Sequence, residues 1–166
     1  TSVTGGTLSF ANGALGTTGA ITVNGGTLQW NGSNTQDISA RLTLQNSGSA
    51  TLDTNGNDVT LATAFGGSTS SSLTKTGAGS LSLTGAAANT YTGSTTVNGG
   101  SLVLGKTANI NAIAGNLTIG DGTTTAGLDI VQLTNNNQIA AATTSSSSSS
   151  SSSILMRMGL ASSILS

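Results

Sequence analysis

The sequence predicts an all-β fold in which the chain winds into a β-solenoid of about six stacked coils. Three observations predict it: a recurring turn-plus-strand phrase, apolar residues spaced two apart after each turn, and few bulky side chains. The 166 residues include only two Phe, one Trp and one Tyr. A narrow solenoid interior can be filled by small aliphatic residues stacked from coil to coil, whereas a β-sandwich needs a larger core.

The recurring phrase is a glycine-rich turn followed by a strand-like segment. Residues 23–30, VNGGTLQW, return as residues 97–104, VNGGSLVL, and residues 4–10 are a looser copy. Apolar residues two apart indicate strands with one buried face. This spacing predicts a repeat core of eight residues: Leu8, Phe10, Leu28, Trp30, Leu81, Leu83, Leu102 and Leu104. Phe10 and Trp30 occupy equivalent places in adjacent units, so we expect them to stack inside.

The spacing of the units predicts the winding. Units begin at six positions that are 20 to 30 residues apart, namely Thr7, Thr27, Ala50, Ser80, Ser101 and Gly127. Such a period suits one coil with two or three short strands and Gly or Asn at the corners. We therefore assign residues 1–142 to one repeat domain.

Two segments in the middle of the chain carry a family resemblance. Residues 73–85, LTKTGAGSLSLTG, and residues 88–102, ANTYTGSTTVNGGSL, closely resemble the autotransporter-associated β-strand repeat. The resemblance is strong over residues 72–104 and degenerate over most of 1–135. It implies a right-handed parallel β-helix, displayed or released outside a Gram-negative-type cell as a passenger or a related repetitive surface protein. It implies no catalytic residues, because the repeat is a scaffold motif.

The resemblance also implies parts that the sequence lacks. An autotransporter would have a secretion signal and a membrane-spanning barrel. The chain begins at Thr1 without Met. We therefore expect a processed or excised piece of a longer polypeptide.

Composition favours an extracellular structural role and excludes several function classes. The chain has no Cys, Pro or His, and its net charge is −1 with 5% charged residues. Disulfides and Cys- or His-based metal sites are thus excluded, and four scattered basic residues make nucleic acid a poor partner. We expect no cofactor and no transmembrane segment. A surface of hydroxyl and amide groups with so little charge is compatible with lateral association.

Two motifs suggest ligand binding but fit turns and strands better. Residues 100–107 match the phosphate-loop pattern, yet their middle residues form a strand, so Lys106 is expected to be a solvated corner residue. Residues 53–58 resemble a calcium loop with its glycine two places early and Ala64 where the closing glutamate should stand. An Asx-type turn is the better interpretation there and at Asp121.

An enzyme is the obvious rival, because many parallel β-helices act on polysaccharides. The groups available for catalysis are Asp37, Asp53, Asp58, Asp121, Asp129, Arg41, Lys75 and Lys106. They share no repeated phase that would gather three of them, and Asp53 and Asp129 each follow an inward Leu and should point outward. We therefore predict no catalytic residues. Few outward threonines have a second threonine two residues on, so no regular array for ice binding is expected, while adhesion to cell-surface or glycan ligands stays open.

The last residues differ in character from the repeats. Residues 143–166 contain nine consecutive serines, 145–153, and then a short apolar segment. A serine run predicts a linker, and the apolar segment is too short to span a bilayer. We interpret the segment as an assembly element or as an end cap. Its apolar residues are Ile154, Leu155, Met156, Met158, Leu160, Ile164 and Leu165.

The sequence thus predicts an extracellular structural subunit that polymerises with itself, head to tail, into a surface filament. The predicted location is outside a Gram-negative-type bacterium or on its outer-membrane surface. The alternative is an autotransporter passenger stalk or adhesin fragment that does not polymerise. A polysaccharide-active β-helix enzyme is the third and weakest interpretation.

Overall fold

The computed structural model describes residues 1–45, 48–67, 70–120, 128–140 and 145–147. Over these ranges the protein is all-β, with fifteen short strands in three sheets and one turn of 3-10 helix, Ser39–Arg41. Every strand pairing is parallel. Parallel neighbours that are joined by short segments without α-helices require a chain that winds round an axis.

The three sheets form the sides of the winding. Sheet A contains, in order, β1 (Ser2–Val3), β3 (Ile21–Val23), β5 (Leu42–Leu44) and β8 (Gly66–Gly67). Sheet B contains β2 (Thr7–Phe10), β4 (Thr27–Trp30), β6 (Ser49–Asp53), β9 (Ser72–Thr76), β11 (Thr95–Val97), β13 (Leu117–Ile119) and β15 (Ser145–Ser147). Sheet C contains β7 (Val59–Leu61), β10 (Ser80–Gly85), β12 (Gly100–Lys106) and β14 (Asp129–Leu133).

Sheet B runs the whole length of the described structure and shows the winding best. Its register partners from Thr7 to Thr118 follow one another at intervals of 20 to 24 residues. The six strands from β2 to β13 mark five turns, so the predicted β-solenoid of about six coils is confirmed. The right hand of the winding stays a prediction.

The core is a stack of inward side chains from successive strands. Burial alternates along β4, β6 and β10, as expected for strands with one face inside. Seven of the eight residues of the expected repeat core are 0 to 2% exposed, and Leu8 in the first coil is half-buried. The rings of Phe10 and Trp30 lie 5.0 Å apart, tilted by 56°, inside adjacent coils. A second pair, Phe65 and Tyr91, stacks at 5.8 Å.

The repeated phrases do not occupy equivalent places in the fold, contrary to the sequence-based assignment. The strand after Gly25-Gly26 is β4 in sheet B, whereas the strand after Gly99-Gly100 is β12 in sheet C. The 30-residue step from Ala50 to Ser80 marks the change, since it skips β9 and moves from sheet B to sheet C. A glycine turn followed by a strand fits any corner of a solenoid, so the phrase itself does not specify which corner.

The predicted phase is also wrong in β14. Leu128 is 54% exposed and Ile130 is half-buried, while Asp129 and Val131 are buried. Register explains the change, because Val131 pairs with the inward Leu102. A one-residue shift in register exchanges the two faces of a strand.

Buried amide side chains continue the ladder at corners where strand pairing stops. Asn89 Oδ1 accepts a hydrogen bond from the Phe65 amide (3.1 Å), and its Nδ2 donates to the Ala112 carbonyl (3.0 Å). Gln138 Oε1 accepts from the Lys106 amide (2.8 Å), and its Nε2 donates to the Lys106 carbonyl (3.1 Å). Each side chain thereby satisfies buried backbone groups of neighbouring coils.

We expect Gly67→Ala to destabilise the fold, because a Cβ at Gly67 would overlap the Leu44 carbonyl of β5. Such overpacking costs about 1–3 kcal/mol, which corresponds to roughly 2–4 °C of melting temperature per kcal/mol at this size. Gly5→Ala is the matched control, since nothing lies within 4 Å of a Cβ there. Thermal unfolding of both variants measures the difference, and equal melting temperatures would contradict the close approach of coils at Gly67.

Candidate functional site

The carboxylates at two corners of the solenoid are engaged in capping the backbone. Asp37 Oδ1 accepts from the Ser39 amide (2.8 Å) and Oδ2 from the Ala62 amide of the next coil (3.0 Å). Asp58 Oδ1 accepts from the Ser80 hydroxyl (2.8 Å) and amide (2.9 Å), and these hydrogen bonds lower the pKa of Asp58. Within the described ranges, no three acidic, His or Cys residues converge as metal ligands.

Asp53 forms the predicted Asx-type turn. Its Oδ1 accepts from the Asn55 amide at 2.9 Å, and its Oδ2 accepts from Gln29 Nε2 of the preceding coil at 2.7 Å. Both oxygens are therefore held by protein donors, and the side chain lies outward as expected. Asp121, for which we predicted the same kind of turn, lies outside the described residues.

The phosphate-loop motif is a strand, as its context predicted. The predicted position of its lysine, a solvated corner, is wrong. β12 covers Gly100–Lys106, so the backbone cannot form an open loop around an anion. Lys106 is fully buried instead of solvated, and its Nζ donates to the Thr84 carbonyl at 2.8 Å. Alternation along β12 puts Lys106 on the same inner face as Leu102 and Leu104.

Lys75 is a second buried lysine, and its burial was not predicted from the sequence. Its Nζ donates three hydrogen bonds, to the carbonyls of Thr76 (2.8 Å), Gly77 (2.7 Å) and Gly99 (2.9 Å). The ammonium has three donors, so each is matched and two successive coils are tied together at the corner between sheets B and C. The inward Leu73, two residues earlier, was the signal that could have identified this position.

The surroundings of Lys75 disfavour the charged form of its side chain. Burial lowers the pKa of Lys75 to about 8, and the carboxylates of Asp53 and Asp129 partly offset this by favouring the charged form. Asp129 points inward, contrary to the prediction that it lies on the outer face. Lys75 is thus arranged to hold coils together, because all three of its Nζ hydrogen bonds go to backbone carbonyls.

The open groove at the corner before sheet A is lined by small, apolar and hydroxyl-bearing residues and by one charged side chain, Arg41. Its volume is about 480 Å³, and Phe65 and Thr90 are among its lining residues. The Arg41 guanidinium donates to the carbonyls of the first coil, at 2.7 Å from Thr18 and 3.0 Å from Gly16. The guanidinium therefore acts as a clamp on a loop of that coil.

The outer face of sheet B carries a regular row that sequence reasoning did not find. Register pairing aligns six outward threonines, one from each coil: Thr7, Thr27, Thr51, Thr74, Thr96 and Thr118. The expectation of no regular threonine array is therefore wrong. The array runs across the strands, along the solenoid axis, whereas the spacing of threonines in the sequence reports only on single strands.

The first coil presents a strand edge. Thr27 and Asn31 of the second coil donate to the carbonyls of Gly6 and Phe10, each at 2.9 Å. Bonding alternates along a parallel strand, so the amides of Thr7 and Ser9 face the opposite edge of β2. No strand of the described structure pairs with that edge. An unpaired strand edge of this kind can accept another strand.

We expect the free energy of unfolding to rise with pH between about 8 and 9.5, chiefly through Lys75. The folded protein releases the Lys75 proton near pH 8, whereas an unfolded lysine keeps it up to 10.5. The unfolded chain thus binds more protons in this interval, and raising the pH favours folding. Above pH 10 the trend reverses, because burial raises the pKa of Tyr91 to about 12.

Denaturant unfolding at several pH values, on wild type and on Lys75→Met, measures this effect. The rise should be much smaller in Lys75→Met. Lys106→Met serves as a comparison, because burial also lowers the pKa of Lys106, and the double variant should show no rise. An unchanged rise in Lys75→Met would contradict the assignment.

Comparisons with known proteins agree with this scaffold. Residues 5–29 and 73–104 match the passenger-associated-transport-repeat family. The first range runs from the turn before β2 nearly to the end of β4, and the second from β9 into β12. Searches of curated proteins and of solved structures find no match. No helix in the described ranges has the length and hydrophobicity to cross a membrane.

The family and the fold point to a structural rather than a catalytic role, and to a surface or extracellular location in a Gram-negative-type bacterium. The two repeat matches and the parallel β-solenoid together support an autotransporter passenger β-repeat protein.

Proposed function

We propose that the protein is an extracellular structural subunit whose coils stack head to tail with those of a second copy, giving a surface filament. The observation that carries the proposal is the edge of β2. Its Thr7 and Ser9 amides face away from β4, and both residues are exposed. A parallel strand of another subunit can pair there just as each coil pairs with the next.

Backbone pairing, rather than apolar burial, supplies the specificity of this junction. Val3 and Phe10 in the first coil are already 6% and 2% exposed, so little apolar surface is left to bury. Leu8 is the half-buried exception on β2. Since association itself costs roughly 4–15 kcal/mol, assembly depends on strand addition along the whole edge.

Low charge supports association between copies. The net charge is −1, and both lysines are buried in the solenoid. Among the described side chains, the exposed or half-buried charges are Asp37, Arg41, Asp53 and Asp58. Little electrostatic repulsion therefore opposes the approach of a second copy.

The other end of sheet B continues beyond the repeats. Ser145–Ser147, within the serine run, form β15 and pair in parallel with β13. An end strand of this kind is the surface that would meet β2 of the next subunit. The apolar segment that we expect to act as an assembly element, residues 154–165, lies outside the described residues.

The alternative is a passenger stalk or adhesin in which further coils of a longer polypeptide cover the β2 edge. The family match favours it as much as it favours the filament. The two differ in one property: the purified chain assembles in the first and stays monomeric in the second.

Ser9→Pro tests the filament. Proline removes the Ser9 amide from the open edge and is tolerated on edge strands, so the coil should still form. Ser9→Ala is the matched control, because it keeps the amide. By electron microscopy at neutral pH, wild type and Ser9→Ala should form filaments, while Ser9→Pro stays monomeric with an unchanged circular dichroism spectrum. Monomeric wild type at high concentration would favour the stalk, and filaments of Ser9→Pro would remove the β2 edge from the mechanism.

A further inference from the structure

We propose that the threonine row on sheet B is a lateral seam, through which two filaments of this protein pack face to face into bundles. The inference rests on the proposed head-to-tail assembly, because only a filament repeats the row often enough. The partner is a second copy of the same face. The row comprises Thr7, Thr27, Thr51, Thr74, Thr96 and Thr118.

The face is regular, stiff and almost without charge. Threonine has a restricted χ1 angle, so burying it costs little rotamer freedom compared with longer polar residues. The one charged outward side chain among the described strands of sheet B is Asp53, and both its oxygens already accept hydrogen bonds. A second partial row reinforces the first, since Ser49, Ser72 and Ser94 stand two residues before Thr51, Thr74 and Thr96.

Threonine methyl and hydroxyl groups at strand spacing suit a dry, interdigitated contact between sheets. Identical side chains stacked about 4.8 Å apart form such contacts when the sheets carry little charge. Neither sheet A nor sheet C offers an equal surface. Sheet A ends at the glycine strand β8, and the corresponding row of sheet C, Thr60, Ser82, Val103 and Gln132, mixes four residue types.

The outer face of sheet B in one subunit is too small to hold two single subunits together. Six strands about 4.8 Å apart, with three to five residues at about 3.3 Å each, give ~300–450 Å² per copy. A face-to-face pair of subunits then buries at most about 900 Å², below the roughly 1,200 Å² of a stable interface. In a filament the contacts are linked and add along the length, so bundling follows polymerisation.

Charged substitutions two coils apart test the seam. Thr51→Lys with Thr96→Lys places like charges on the face without setting them on adjacent strands. The matched control is Thr60→Lys with Val103→Lys, which puts the same charges on the same two coils of sheet C. We expect wild type and control to give bundles by electron microscopy, and the sheet B variant to give single filaments of normal length. Its bundles should return at high salt, because salt screens the repulsion.

A charge-swap experiment distinguishes charge repulsion at the seam from other causes of bundle loss in the variants. Thr51→Glu with Thr96→Glu should also give single filaments, and mixing these with the lysine filaments should restore bundles. Bundles of the lysine variant at low salt, dispersal of the control, or no bundling of the mixture would each overturn the seam. Single wild-type filaments would reject the seam and leave the filament proposal intact, whereas monomeric wild type would reject both.

Discussion

Parallel backbone pairing between successive coils is the constraint on which the rest of this structure depends. Each strand lies in register with the strand one coil earlier. Whether a side chain points inward or outward is therefore set by its register partner as well as by the local sequence. The inward stack of Leu28 and Leu52 and the outward stack of Thr27 and Thr51 are two results of the same register. Small variations in coil length, 20 to 24 residues in sheet B, are absorbed at the corners.

Side chains at the corners form hydrogen bonds with backbone groups where strand pairing stops. Lys75 and Lys106 bring their ammonium groups to backbone carbonyls, and Asn89 and Gln138 replace missing ladder bonds with side-chain amides. A buried unpaired carbonyl costs about 1–3 kcal/mol, which is comparable with the ~1.5–2 kcal/mol that a long side chain loses in rotamer entropy on burial. Titratable groups in this protein therefore act mainly as coil-to-coil ties, which explains why a chain with so few charges buries both of its lysines.

The same constraint links scaffold and assembly. A solenoid offers two kinds of repeating surface: strand edges at its ends and side-chain rows along its length. Edges favour addition along the axis, because they present backbone donors and acceptors. Rows favour weak lateral contacts, which become effective only when many are linked. In the assembly that we propose, the two surfaces are orthogonal and serve separate steps, addition along the axis and lateral packing.

The sequence by itself determined that the chain is all-β, that it winds into a solenoid, and that the apolar residues two apart in β4, β10 and β12 lie inside. Period-two spacing and glycine turns are local properties, and they are visible in one strand at a time. Only the tertiary structure decided which sheet each repeat joins, that Lys75, Lys106 and Asp129 point inward, and that six threonines align. Those features depend on pairing between residues about twenty positions apart, and coil lengths vary by enough residues to hide that register from any fixed period.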